Sequence, residues 1–135
     1  MVNKNKLNGP LVFKVNIGMY LKNLYCVTNC TNKEFNDHIF KTWGGVKRNS
    51  DKLIEAEIAQ VINLKKERIR FFLYIKKVKK NDIETIKTLS HELDHLTFFV
   101  FEYYGIRVGV RDQEAFCYFQ EEVLGKVLRK LNKIL

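Results

Sequence analysis

Apolar and polar side chains alternate from Phe13 to Lys22. Phe13, Val15, Ile17, Met19 and Leu21 fall on one face, with Lys14, Asn16, Tyr20 and Lys22 on the other. A period of two predicts a half-buried strand. Thr31 and Glu34 then stand at capping-box spacing. They predict a helix that carries Phe35, Ile39 and Trp43 at i, i+4 and i+8 and ends at Gly44 and Gly45. The stretch Asp51–Leu64 admits two readings. Ile54, Ile58, Val61 and Ile62 suit a helix, whereas Gln60–Leu64 suits the start of a hairpin across Lys65, Lys66 and Glu67. A short helix or loop followed by the hairpin is the expectation. Ile69, Phe71, Leu73 and Ile75 alternate with Arg70, Phe72, Tyr74 and Lys76, which predicts a strand over 68–77.

Two long helices follow. Asn81, Asp82 and Glu84 supply a cap and early acidic residues, and Gly105 supplies the stop. Between them Ile83, Ile86, Leu89, Leu93, Leu96, Phe99 and Val100 recur at helical spacing, with Ser90 the one polar gap. The last helix, about 112–134, carries Phe116, Phe119, Val123, Leu124, Val127, Leu128, Leu131 and Ile134 along one stripe. That stripe reads as core, with its C-terminal portion a candidate surface for a second copy. The pattern implies an α+β fold: a small twisted, mostly antiparallel sheet packed on two to three helices, as a single domain over 1–135.

Composition supports a packed globule: 46% of the 135 residues are hydrophobic and 13% aromatic. No apolar run reaches membrane-spanning length, and the start of the chain leads into no signal-peptide core. The three cysteines, Cys26, Cys30 and Cys117, fit a reduced, cytoplasmic protein better than a disulfide framework. Cys26 and Cys30 lack the second pair that a zinc knuckle needs and read as structural.

The chemistry lies in the first long helix. His91 and His95 are four positions apart and so share one helix face, where two imidazoles can meet one metal ion. Glu92 lies one position on, placed to reach a water at that metal without ligating it. Catalytic zinc takes three protein ligands and leaves a fourth position for water. Position 98 is Phe98 and position 101 is Phe101, which excludes the metzincin pattern of glycine and histidine there. His38 sits far upstream in the amphipathic helix and reads as a surface residue. The remaining third-ligand candidates are carboxylates. Glu114 lies eighteen intervening residues (96–113) after His95, in the first turn of the next helix, and Asp112 is the natural N-cap before it. Glu114 is favoured as ligand and Asp112 is the competing, supporting carboxylate. Zinc held by His91, His95 and Glu114 would activate a water, with Glu92 as general base. Tyr103, Tyr104 and Tyr118 are candidate oxyanion donors, and nothing in the sequence chooses among them.

The spacing of His91, Glu92, His95 and Glu114 resembles that of gluzincins, above all the zinc aminopeptidases. Leu89–Leu96, then Tyr104–Ile106, then Asp112–Tyr118 are similar to short zincin-like proteins of bacteriophages and mobile elements. In those, a histidine-pair helix precedes an Asp-x-Glu-Ala-x-x-Tyr helix. The second half is also similar to phage-repressor-cleaving metallopeptidases. The resemblance covers roughly residues 68–125 and implies a zincin-like fold, one zinc ion per chain and hydrolysis of a peptide bond in a protein or peptide substrate. It also implies that the strand before the metal helix, 68–77, forms the edge along which an extended peptide lies. The exopeptidase motif of the aminopeptidases is absent, which points to internal bonds. Thermolysin-type enzymes have aspartate four residues after the liganding glutamate, where this chain has Tyr118.

Charge adds a second reading. Lys and Arg number 24 against 15 Asp and Glu, a net charge of +9. The cations gather at 65–80 and again at Lys126, Arg129, Lys130 and Lys133. Such a surface suits nucleic acid or an acidic protein. The alternative function is therefore a zincin shell that binds without cutting, as an accessory or assembly protein of phage type.

Overall fold

The alternating run at the start of the chain folds back on itself. In the computed structural model, β1 (Leu11–Gly18) ends where Gly18 takes a positive φ of 71°, and β2 (Lys22–Thr28) returns antiparallel to it. The expected single strand over 13–22 is thus two. The period of two runs on in the sequence from β1 into β2, so only Gly18 marks the break. The structure describes residues 9–18, 22–44, 54–63 and 65–135. Met19, Tyr20, Leu21, Gly45, Asp51 and Leu64, which entered the expectations above, lie outside them.

Helix α1 (Asn32–Trp43) has the expected ends. Thr31 accepts from the Glu34 N–H at 3.2 Å, and the Glu34 carboxylate accepts from the Thr31 N–H at 3.1 Å. Gly44 closes the helix in the left-handed region, where a Cβ would be strained. β3 (Ala56–Asn63) follows, in place of the short helix or loop. It is apolar on both faces: Ala59 and Val61 turn to α1, while Ala56 and Ile58 turn to the opposite layer. Apolar residues on the half-buried second face, Ala56 and Ile58, blur the alternation that would have marked a strand. Asn63 accepts from the N–H groups of Lys65 and Lys66 and turns the chain into β4 (Arg68–Ile75).

The sheet order is β1-β2-β4-β3, with a parallel pairing between β2 and β4 and antiparallel pairings on either side. Phe71, Leu73 and Ile75 of β4 face one core and Phe72 and Tyr74 face the other. α1 covers the second core. Its rim is closed by Arg70, whose guanidinium lies 3.9 Å from the Trp43 ring centre and 4.3 Å from that of Tyr25.

Helices α2 (Ile83–Tyr103) and α3 (Gln113–Ile134) cover the first core, α2 over β3 and β4 and α3 over β1. α2 buries Leu89, Leu93, Leu96 and Val100, whereas Ile83 at its start is 72% exposed. Gly105, at φ 68°, ends it. The Gly105 N–H reaches the Glu102 carbonyl and the Ile106 N–H reaches that of Phe101, the paired bonds of a Schellman turn. The helices run antiparallel. Gln120 donates to the Ser90 hydroxyl at 3.3 Å, which satisfies the polar gap in the α2 stripe, and Phe98 packs on Phe116 at 4.8 Å. Among the described residues no helix is long and apolar enough to cross a membrane.

Leu93 is fully buried between α2 and the sheet, so Leu93→Ala is expected to cost about 2–5 kcal/mol in urea unfolding. At the start of α2, the N–H and hydroxyl of Thr85 both donate to Asp82 and hold its carboxyl below the ordinary value. A lowered folded pKa stabilises above the unfolded carboxylate value, about pH 4, and this contribution is lost as pH falls through the folded value. The stability gap between wild type and Asp82→Ala should be constant from neutral pH down to about pH 5 and then close towards acid. Urea titrations at stepped pH read it.

Candidate metal centre

The spacing of four brings the two imidazoles together on the exposed face of α2. The Nε2 atoms of His91 and His95 lie 3.2 Å apart, with the rings edge to face at 4.8 Å. Two nitrogen ligands on one tetrahedral zinc stand about 3.3 Å apart, so the pair is spaced to share an ion. The ring of Phe99, one turn on, lies nearly parallel to that of His95.

Glu92 takes the boundary between this face and the sheet. Only 7% of it is exposed. Its carboxylate accepts from the backbone N–H of Ile58 in β3. Burial pushes the carboxyl above the ordinary value and Glu57 adds to the rise; His95, His91 and the Ile58 N–H oppose it. The Lys76 N–H donates to the Glu55 carbonyl at 2.8 Å, which sets the register of this pair. Odd-numbered residues of β3 therefore bond to β4, and Ala56, Ile58, Gln60 and Ile62 turn their backbone groups outward. Glu92 thus meets β3, the outer strand of the sheet among the described residues. A cavity of about 500 Å³ opens beside it, lined by Ile54, Ala56, Thr88, His91 and Glu92 among others.

That edge is β3, whereas the expectation had named the strand at 68–77. β4 is paired on both sides and buried on both faces, so it has no edge to offer. The backbone of Ile58 is the site feature that sequence reasoning missed. Reading 54–63 as a strand entering the Lys65–Glu67 turn would have found it.

The other candidates lie apart from the pair. Glu114 is exposed in the first turn of α3, and Asp112 holds the N-cap position without a side-chain capping bond. Among the described residues no group of three or more His, Cys, Asp and Glu side chains is placed to hold a metal ion. The structure brings His91 and His95 together and brings neither Glu114 nor Asp112 into a group with them. Tyr103 and Tyr104 lie about 12 and 13 Å beyond His95 along the helix axis and pack on each other. Tyr118 is 66% exposed and lines a groove with Ile17 and Arg129, towards the β1 side. His38 is half-buried on α1, where burial lowers its pKa.

No protein-family model matches this chain, and neither does any curated protein or solved structure.

Cys26 and Cys30 belong to opposite cores and cannot meet as ligands. Burial raises both thiols, that of Cys30 to about 11, while Cys117 is exposed. A thiol reagent at pH 8 should add one label per native chain, at Cys117, and three after unfolding in urea. Intact-mass spectrometry counts them.

Proposed function

We propose that this chain is a zinc-dependent metallopeptidase of zincin-like fold, cutting an internal peptide bond of a protein substrate. The observation that carries this reading is the meeting of His91 and His95 nitrogens at 3.2 Å beside a buried Glu92 at the sheet edge. His91 and His95 would hold the ion, and the resemblance to gluzincins assigns the third position to Glu114. Zinc, when bound, supplies Lewis acidity towards water and the scissile carbonyl.

The chain's own residues account for the remaining chemistry. Glu92 accepts the proton of the attacking water and passes it to the departing amine nitrogen, so it is released unchanged. Its raised carboxyl pKa suits both halves of that exchange. The Ile58 N–H donates to the carboxylate and ties it to β3. An extended peptide paired to the outward groups of β3 would run past the histidine pair, held by main-chain hydrogen bonds.

Metal content of chelator-free protein, measured by mass spectrometry, tests this. About one zinc per chain is expected, lost in His95→Ala. Glu92→Gln should keep the metal and lose peptide hydrolysis by about a hundredfold or more. No zinc in wild type after supplying the ion to folded protein would overturn the enzyme and leave a binding protein in its place.

A further inference from the structure

The sheet edge opposite the histidine pair carries a different chemistry. α3 presents Lys126, Arg129, Lys130 and Lys133 at i, i+3, i+4 and i+7, a single stripe along the helix. With Val15 and Asn16 of β1 these four cations line a groove of about 370 Å³ that has no carboxylate in its wall. The groove is built to hold them in place. The Lys126 Nζ donates to the Asn16 carbonyl at 2.8 Å, and the Lys130 Nζ donates to the Lys14 carbonyl. Arg129 leans over Gly125, its Nη1 standing 3.2 Å from where a Cβ would be. Glycine inside a helix costs about 1 kcal/mol relative to alanine, and here it leaves room for that guanidinium.

Neutralisation within the chain is slight. Among the described residues the stripe has one ion pair, Lys126 with Glu122 at 3.7 Å, and that glutamate side chain is 68% exposed. From Lys126 to Lys133 the helix rises about 10 Å, close to the Debye length at about 0.1 M salt. The four charges therefore repel one another unless an anion joins them.

We propose that this groove binds the phosphodiester backbone of a nucleic acid. A rise of about 10 Å spans roughly two to three phosphates of one strand, whose charges recur about every 3.4 Å along the duplex axis. Lysine ammonium groups read charge rather than base edges, so binding is independent of sequence. A membrane surface is a poorer match. Val15, the one apolar residue in the wall, is 2% exposed and has nothing to insert between lipids. The site lies over β1 while the histidine pair lies by β3, so it stands whether or not that pair carries zinc.

The test is fluorescence anisotropy of the full chain with a labelled 20-base-pair duplex of mixed sequence, from 50 to 250 mM NaCl. Wild type should bind with an affinity that falls linearly in log–log form with salt. The double variant Arg129→Gln/Lys133→Gln should bind more weakly throughout and lower that slope by about 1.8, two contacts at roughly 0.9 each. Both side chains are exposed, so its melting temperature should match wild type. Lys33→Gln/Lys41→Gln removes the same charge from exposed positions of α1, across the sheet, and should bind like wild type. No binding at 50 mM salt, or an equal loss in the α1 variant, would overturn the proposal. So would displacement of the duplex by polyglutamate or by phosphatidylserine vesicles at equal charge concentration.

Discussion

β4 is buried on both of its faces, with Phe71, Leu73 and Ile75 under the long helices and Phe72 and Tyr74 under α1. A strand so placed must have a layer on each side and a neighbour at each edge. β2 and β3 are those neighbours, and α1 and the α2–α3 pair are those layers. Its polar requirements are met internally. The Tyr74 hydroxyl, deep in the α1 core, donates to the Cys30 carbonyl at 2.9 Å, and its ring stacks on Phe35 at 4.8 Å. Burial of a five-residue apolar run from Phe71 to Ile75 thus decides the three-layer form, and the chemistry is carried at the rims.

The candidate centre shows how a helix can sort neighbouring residues into different surroundings. His91 and His95 share the solvent side of α2, while Glu92, about 100° further round the helix, is turned against β3. The same helical step that pairs the imidazoles therefore desolvates the carboxyl between them. Its elevation above the ordinary carboxylate value comes first from burial and is held back by the two histidines. One carboxylate is in this way held partly out of water while remaining within the field of the pair.

Features governed by neighbours in sequence were legible. The capping box at Thr31 and Glu34, the stops at Gly44 and Gly105, the β4 strand and the two long helices all rest on spacings of a few residues. The convergence of His91 and His95 belongs to the same class, since it follows from helical periodicity alone. What escaped depended on distant parts of the chain. The turn at Gly18 interrupts no hydrophobic pattern. β3 reads ambiguously because apolar residues fall on both of its faces, and the edge role was carried to β4 by resemblance alone. The environment of Glu114 is set by how α3 crosses α2, which no local spacing encodes. Three tyrosines near the motif in sequence proved to lie along the helix axis or towards the other edge of the sheet.

The two edges of the sheet are unequal. On β1 the outward carbonyls of Lys14 and Asn16 are already bonded to lysines of α3, and on β3 the Ile58 N–H is turned to Glu92. Strand addition needs a row of free backbone groups, and among the described residues β3 comes nearer to offering one than β1. A sheet with one accessible margin has a terminus as well as a start. Two chains that met edge to edge through β3 would use up the accessible margin of both, and growth would halt at a closed, two-fold pair rather than run on into a fibre.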